Sequence, residues 1–87
     1  MEKRIGTVTL LISDRAQAAE VNAVVSTFSD IILCRQGLPF HGRDIAVISL
    51  IVDGAPDRIN ALTGRLGRVS GVEAKAVLTK INSKDNI

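Results

Sequence analysis

The chain has 87 residues, enough for one domain, but a domain of this size buries only roughly 60–65% of its unfolded surface, so a partner would add useful stability. Eleven Lys and Arg against nine Asp and Glu leave a net charge of +2, too small an excess to argue for nucleic acid. With 46% apolar residues, two Phe and neither Trp nor Tyr, the core must be aliphatic; the single Cys excludes an intrachain disulfide and a cysteine-held iron–sulfur cluster within one chain.

A free thiol at Cys34 fits a reducing cytoplasm. The opening Met1-Glu2-Lys3-Arg4 runs straight into a strand pattern, so neither a signal peptide nor a membrane span is expected. Arg4 to Ile12 reads as the first strand, with Val8, Leu10 and Ile12 on one face and Ile5, Thr7, Thr9 and Leu11 on the other. Ser13-Asp14-Arg15 breaks that alternation, and Ser13 or Asp14 can cap a helix. The helix is predicted from about Ala16 to Phe28, with Val21, Val24, Val25 and Phe28 inward.

Asp30 to Gln36 is the second predicted strand, and Gly37 to Arg43 is a connection with turn residues at both ends. Asp44 to Asp53 is nearly all apolar and rich in β-branched residues. It is too short to span a membrane and reads as a central strand buried on both faces. Asp53-Gly54-Ala55-Pro56 then punctuates the chain, with Pro56 suited to a first helical turn. The second helix places Ile59, Leu62, Leu66 and Val69 inward and ends at Ser70-Gly71. Val72 to Thr79 is the last strand, with Val72, Ala74, Ala76 and Leu78 inward. The domain is expected over residues 1–80, with residues 81–87 as a polar C-terminal tail.

The order strand, helix, strand, strand, helix, strand is a degenerate repeat: Val21-Asn22-Ala23 in one helix echoes Ile59-Asn60-Ala61 in the other. Two right-handed βαβ halves give an α+β, ferredoxin-like βαββαβ two-layer sandwich: a four-stranded antiparallel sheet with two helices on one face. The helix-free face then carries Thr7, Thr9, Val47, Ser49 and Ile51, more apolar than a solvated face needs to be. These five residues are the expected oligomer interface, and a second copy is the simplest partner.

Several functions open to this architecture lack their parts. RNA-recognition sheets need aromatic residues on the two central strands, where this chain has Thr7, Thr9, Val47 and Ser49, so direct nucleic-acid binding is not expected. Metal chaperones of this fold use paired cysteines after the first strand, and acyl-phosphate hydrolases use a glycine-rich anion cradle there; Ser13-Asp14-Arg15 is neither. With no acid–base pair or nucleophile set, an enzyme is not expected. Cys34 and His41 cannot make a four-ligand zinc site in one chain, so no metal or cofactor is expected, and Cys34 reads as a half-buried strand residue.

Two surfaces remain. At the first loop, amide donors at a helix start suit a carboxylate or phosphate; Arg15 would strengthen that, while Asp14 could hold an amine. On the second helix, Arg58, Arg65 and Arg68 share a face that could meet an acidic protein partner, or could simply be solvated. Gly64, inside that helix, either admits another backbone closely or weakens the final turns.

The run Ile59-Asn60-Ala61-Leu62-Thr63-Gly64-Arg65-Leu66-Gly67, followed by Ser70-Gly71-Val72, resembles a small family of ACT-like proteins named as regulators of the iron-only hydrogenase system. Glu2-Lys3-Arg4, Asp14-Arg15, Val21-Asn22, Asp30-Ile31 and Arg35-Gln36-Gly37-Leu38-Pro39 are similar too, so the likeness spans about residues 2 to 80. It implies an ACT-like fold, oligomerisation and regulation. Such domains often bind amino acids where chains meet, near the first strand–helix loop, which makes Asp14, Arg15 and the turn at Gly64 the candidate ligand contacts. Nickel-responsive relatives use a histidine-rich site, whereas this chain has only His41. The expected function is a small-molecule-sensing regulatory module, or alternatively an interaction adaptor without a metabolite.

Overall fold

A computed structural model describes residues 2–38 and 44–82. Strand β1 (Arg4–Ile12) leads through a 3-10 turn (Arg15–Gln17) into helix α1 (Ala18–Thr27). A second 3-10 turn (Ser29–Ile31) leads into β2 (Ile32–Leu38). Strand β3 (Ala46–Gly54), helix α2 (Pro56–Gly67) and strand β4 (Val72–Asn82) complete the chain. The sheet order is β2-β3-β1-β4, and all three pairings are antiparallel. This is the predicted α+β ferredoxin-like sandwich.

The core follows the alternation of the strands and the 3.6-residue period of the helices. Val8, Leu10 and Ile12 of β1, with Ala46, Leu50 and Val52 of β3, lie on one face. Val21, Val24, Val25 and Phe28 from α1, and Ile59, Leu62, Leu66 and Val69 from α2 and its end, cover them. Burying a Leu or Ile of this kind contributes about 1.5–3 kcal/mol, the main force holding a domain without aromatic bulk together. Pro56 opens α2, where its missing N–H costs no hydrogen bond.

Several boundaries differ from the sequence reading; β2 runs on to Leu38 rather than Gln36, and β3 spans Ala46–Gly54 rather than Asp44–Asp53. The first helix starts as a 3-10 turn because the Asp14 carboxylate accepts from the Ala16 amide at 3.0 Å, tightening the entry. The second strand begins at Ile32 rather than Asp30, because Ser29–Ile31 turn to bury Ile31 before pairing starts. Helix α2 ends at Gly67, and Gly71 makes the turn into β4 with φ +74°, a left-handed conformation that only glycine adopts without strain. Strand β4 continues past Thr79 to Asn82, with Asn82 paired to Arg4, so the expected tail begins later than residue 81; residues 83–87 lie outside the described residues.

The central strand β3 also departs from expectation. In the single chain it is buried on one face only. On the other, Val47 and Ser49 are half-buried and Ile51 is 40% exposed. No helix among the described residues is long and apolar enough to cross a membrane.

Candidate functional site

The helix-free face is a regular grid set by strand register. One row reads Cys34, Ile51, Thr7, Val77 across the sheet. The next reads Gln36, Ser49, Thr9, Lys75, and the third reads Leu38, Val47, Leu11, Glu73. The five predicted interface residues, Thr7, Thr9, Val47, Ser49 and Ile51, occupy its centre. Around them Leu38 is 69% exposed and Val77 65%. Cys34 stands here as well, exposed rather than half-buried, because a bulge between Ile32 and Cys34 turns it onto the open face. At the far end of that face, Asp53 pairs with Ile5 and keeps one carboxylate oxygen buried without a hydrogen-bond partner among the described residues.

At the other end, the first loop is tied to the start of β4. The Ser13 amide donates to the Gly71 carbonyl at 2.8 Å, and the Ser13 hydroxyl donates to the same oxygen at 3.0 Å. A groove of about 300 Å³ opens beside this link, lined by Leu11, Ser13, Ile45, Gly71, Val72 and Glu73. A second groove of about 390 Å³ crosses β2 and β3 at Gln36, Gly37, Leu38, Val47 and Ser49.

The candidate ligand contacts are only partly brought together. Asp14 and Arg15 sit on the loop beside the first groove, and Asp14 is committed to capping the turn. Gly64 does not join them: a Cβ there would meet nothing within 4 Å, and the residue is exposed on α2. Gly71 is the glycine that lies against the first loop. A Cβ at Gly71 would lie 3.1 Å from Asp14 Cβ and 3.3 Å from Ser13 Oγ. The sequence showed Gly71 only as a helix stop, since its contacts lie 58 residues away.

The basic helix face is also less free than its sequence suggests. Arg58 lies 5.1 Å from the Phe28 ring centre and pairs with Asp30 at 2.8 Å, and Arg65 lies 5.5 Å from the same ring. Both cations fold back over α1's end. Arg68 caps the helix C-terminus. Arg35, on β2, donates to the Asn22 amide oxygen of α1 at 2.7 Å and joins sheet to helix. Among the described residues, no three His, Cys, Asp or Glu side chains gather as a metal site would need; His41 lies outside those residues.

A family model described as "TM1266-like: Iron-only hydrogenase system regulator, putative" matches residues 4–76, from the first strand into the last. The chain belongs to this family. Uncharacterized protein TM1266 from Thermotoga maritima is 40% identical in sequence; its structure superposes with a TM-score of 0.84 over 91% of this chain and 100% of its own. An unknown protein from Galdieria sulphuraria superposes with a TM-score of 0.61 at 16% identity, over 97% of this chain and 49% of its own length, and so shares the fold. No curated protein matches the chain. The family is thus one of regulators by description, built on the βαββαβ sandwich.

Proposed function

We propose that this chain is a regulatory module of the iron-only hydrogenase system that senses a small molecule, such as an amino acid, at the groove beside its first loop, and that it works as an oligomer rather than as an enzyme. The observation that carries this reading is the groove itself. It joins an apolar floor, Leu11, Ile45 and Val72, to two acceptors, the Ser13 hydroxyl oxygen and the Glu73 carboxylate. A small amphipathic ligand needs that combination of apolar body and a few fixed polar contacts. Asp14 and Arg15, on the rim, are the proposed ligand contacts, beside Gly71. The adaptor alternative draws less support, since Arg58 and Arg65 already engage Phe28 and Asp30.

A thermal-shift screen with amino acids and nucleotides tests the reading. A ligand at one hundred times its dissociation constant stabilises the native state by about 2.7 kcal/mol. A rise in unfolding midpoint confined to one chemical class, and lost in Glu73→Gln, is the expected result. A flat response across both classes would remove the sensing function.

A further inference from the structure

We propose that the groove beside the first loop takes its ligand by a protonated amine, with an apolar body on the floor and no carboxylate or phosphate held in the site. The inference rests on the sensing function proposed above and names the class of molecule sensed. That class is a small aliphatic amine, free or as the ammonium end of an amino acid.

The first observation is the direction of the hydrogen bonds. Leu11, Ile45, Gly71 and Val72 bring no polar side-chain atom to the groove, which leaves Ser13 and Glu73. Ser13 donates its hydroxyl proton to the Gly71 carbonyl at 3.0 Å, so its oxygen offers only lone pairs. An ionised Glu73 can only accept. The nearby backbone is engaged as well. The Ser13 amide bonds the Gly71 carbonyl at 2.8 Å, and the Val72 amide bonds the Val69 carbonyl at 3.1 Å. Ser13 and Gly71 continue the β1–β4 register. Alternation along that ladder makes Leu11 and Glu73 the next hydrogen-bonded pair and turns the Glu73 amide into the sheet.

The second observation is charge. Glu73 is the charged residue of the lining. Around it stand Asp14 and Arg15 on the loop, Asp44 beside Ile45, and Lys75 one row along β4. These four balance in sign, so the negative charge of the lining is not offset. A carboxylate laid on Ser13 and Glu73 would meet lone pairs and a like charge. An ammonium group, with three donors and no acceptor, meets two acceptors.

The third is size. A groove of about 300 Å³ stands at the small end of ligand sites, which run from about 300 to 1,000 Å³. Its lining holds no aromatic ring on which a nucleotide base could stack. A short branched aliphatic chain suits its floor.

Three probes with one branched apolar body separate the classes. Leucine carries both charged groups, isoamylamine only the ammonium and isocaproate only the carboxylate. Thermal unfolding is followed with each at the same concentration, pH and ionic strength. Isoamylamine should raise the midpoint at least as far as leucine, and isocaproate should have the smallest effect. Glu73 is exposed, so Glu73→Gln should fold, which circular dichroism verifies. The variant should bind isoamylamine about fivefold more weakly, as the loss of an exposed ion pair implies. A rise with isocaproate that equals that with the amine, or a rise with leucine that exceeds it, would overturn the ammonium assignment and leave the sensing function standing. An amine response undiminished in Glu73→Gln would overturn it by placing the amine elsewhere. No shift with any of the three would remove the assignment and the sensing function together.

Discussion

Gly71 and Gly64 separate a glycine the fold requires from one it only tolerates. Gly71→Ala must adopt φ +74° and press its Cβ against Asp14 and Ser13. The expected cost is about 1–2 kcal/mol in urea unfolding, with loosening of the loop beside the groove. Gly64→Ala meets open space on the exposed side of α2 and should raise stability by about 0.5–1 kcal/mol. The sequence marked Gly64 as a close-packing or weak-turn position and Gly71 only as a helix stop. A helix interior shows through local pattern, so Gly64 stood out as an exception to it. The need for Gly71 comes from a strand end far away in the chain, and no local pattern carries that. Asp14 was legible for the same reason Gly64 was, since a cap acts on its own neighbours.

The elements themselves were legible because alternation and helical period are written into them. Val8, Leu10 and Ile12, or Ile59, Leu62 and Leu66, declare their buried face without help from the rest of the chain. What the helices do for each other was not. Phe28 fills the space at α1's end, and the guanidinium groups of Arg58 and Arg65 stand over its ring. Phe28→Ala should cost about 3–5 kcal/mol by leaving a cavity between the helices. Arg58→Ala should cost only about 1 kcal/mol, since its ion pair to Asp30 is solvated and the cation–ring contact is modest. Part of that smaller loss should vanish in 1 M salt, whereas the Phe28 loss should not. Unfolding curves of the two variants at low and high salt test the contrast.

At the scale of the whole molecule, the two faces of the sheet have opposite fates on substitution. Leu50 is fully buried under the helices, so Leu50→Asp should prevent folding at any concentration. Ser49, its neighbour in sequence, points the other way into the half-buried centre of the open face. Ser49→Asp should keep the circular dichroism of the fold and reduce the particle to a monomer in light scattering. A variant that kept both its assembly and its stability would show the face to be solvated. Cys34 offers a readout without mutation: its thiol is exposed in the single chain, and labelling should slow as concentration rises and the face becomes covered. The order of the strands has a further consequence, for synthesis. Thr9 of β1 pairs with Ser49 on one side and Lys75 on the other, so the first strand made lies between two that come later. At roughly 5–20 residues per second, about 3–13 s pass between the emergence of Thr9 and that of its last partner. Until β3 follows, Val8, Leu10 and Ile12 have no strand to pair with, and until β4 follows one edge of β1 stays open. Ribosome-bound chains halted before β4 should therefore be cut freely by protease, and resistance should arrive abruptly once residues 72–82 have cleared the exit tunnel.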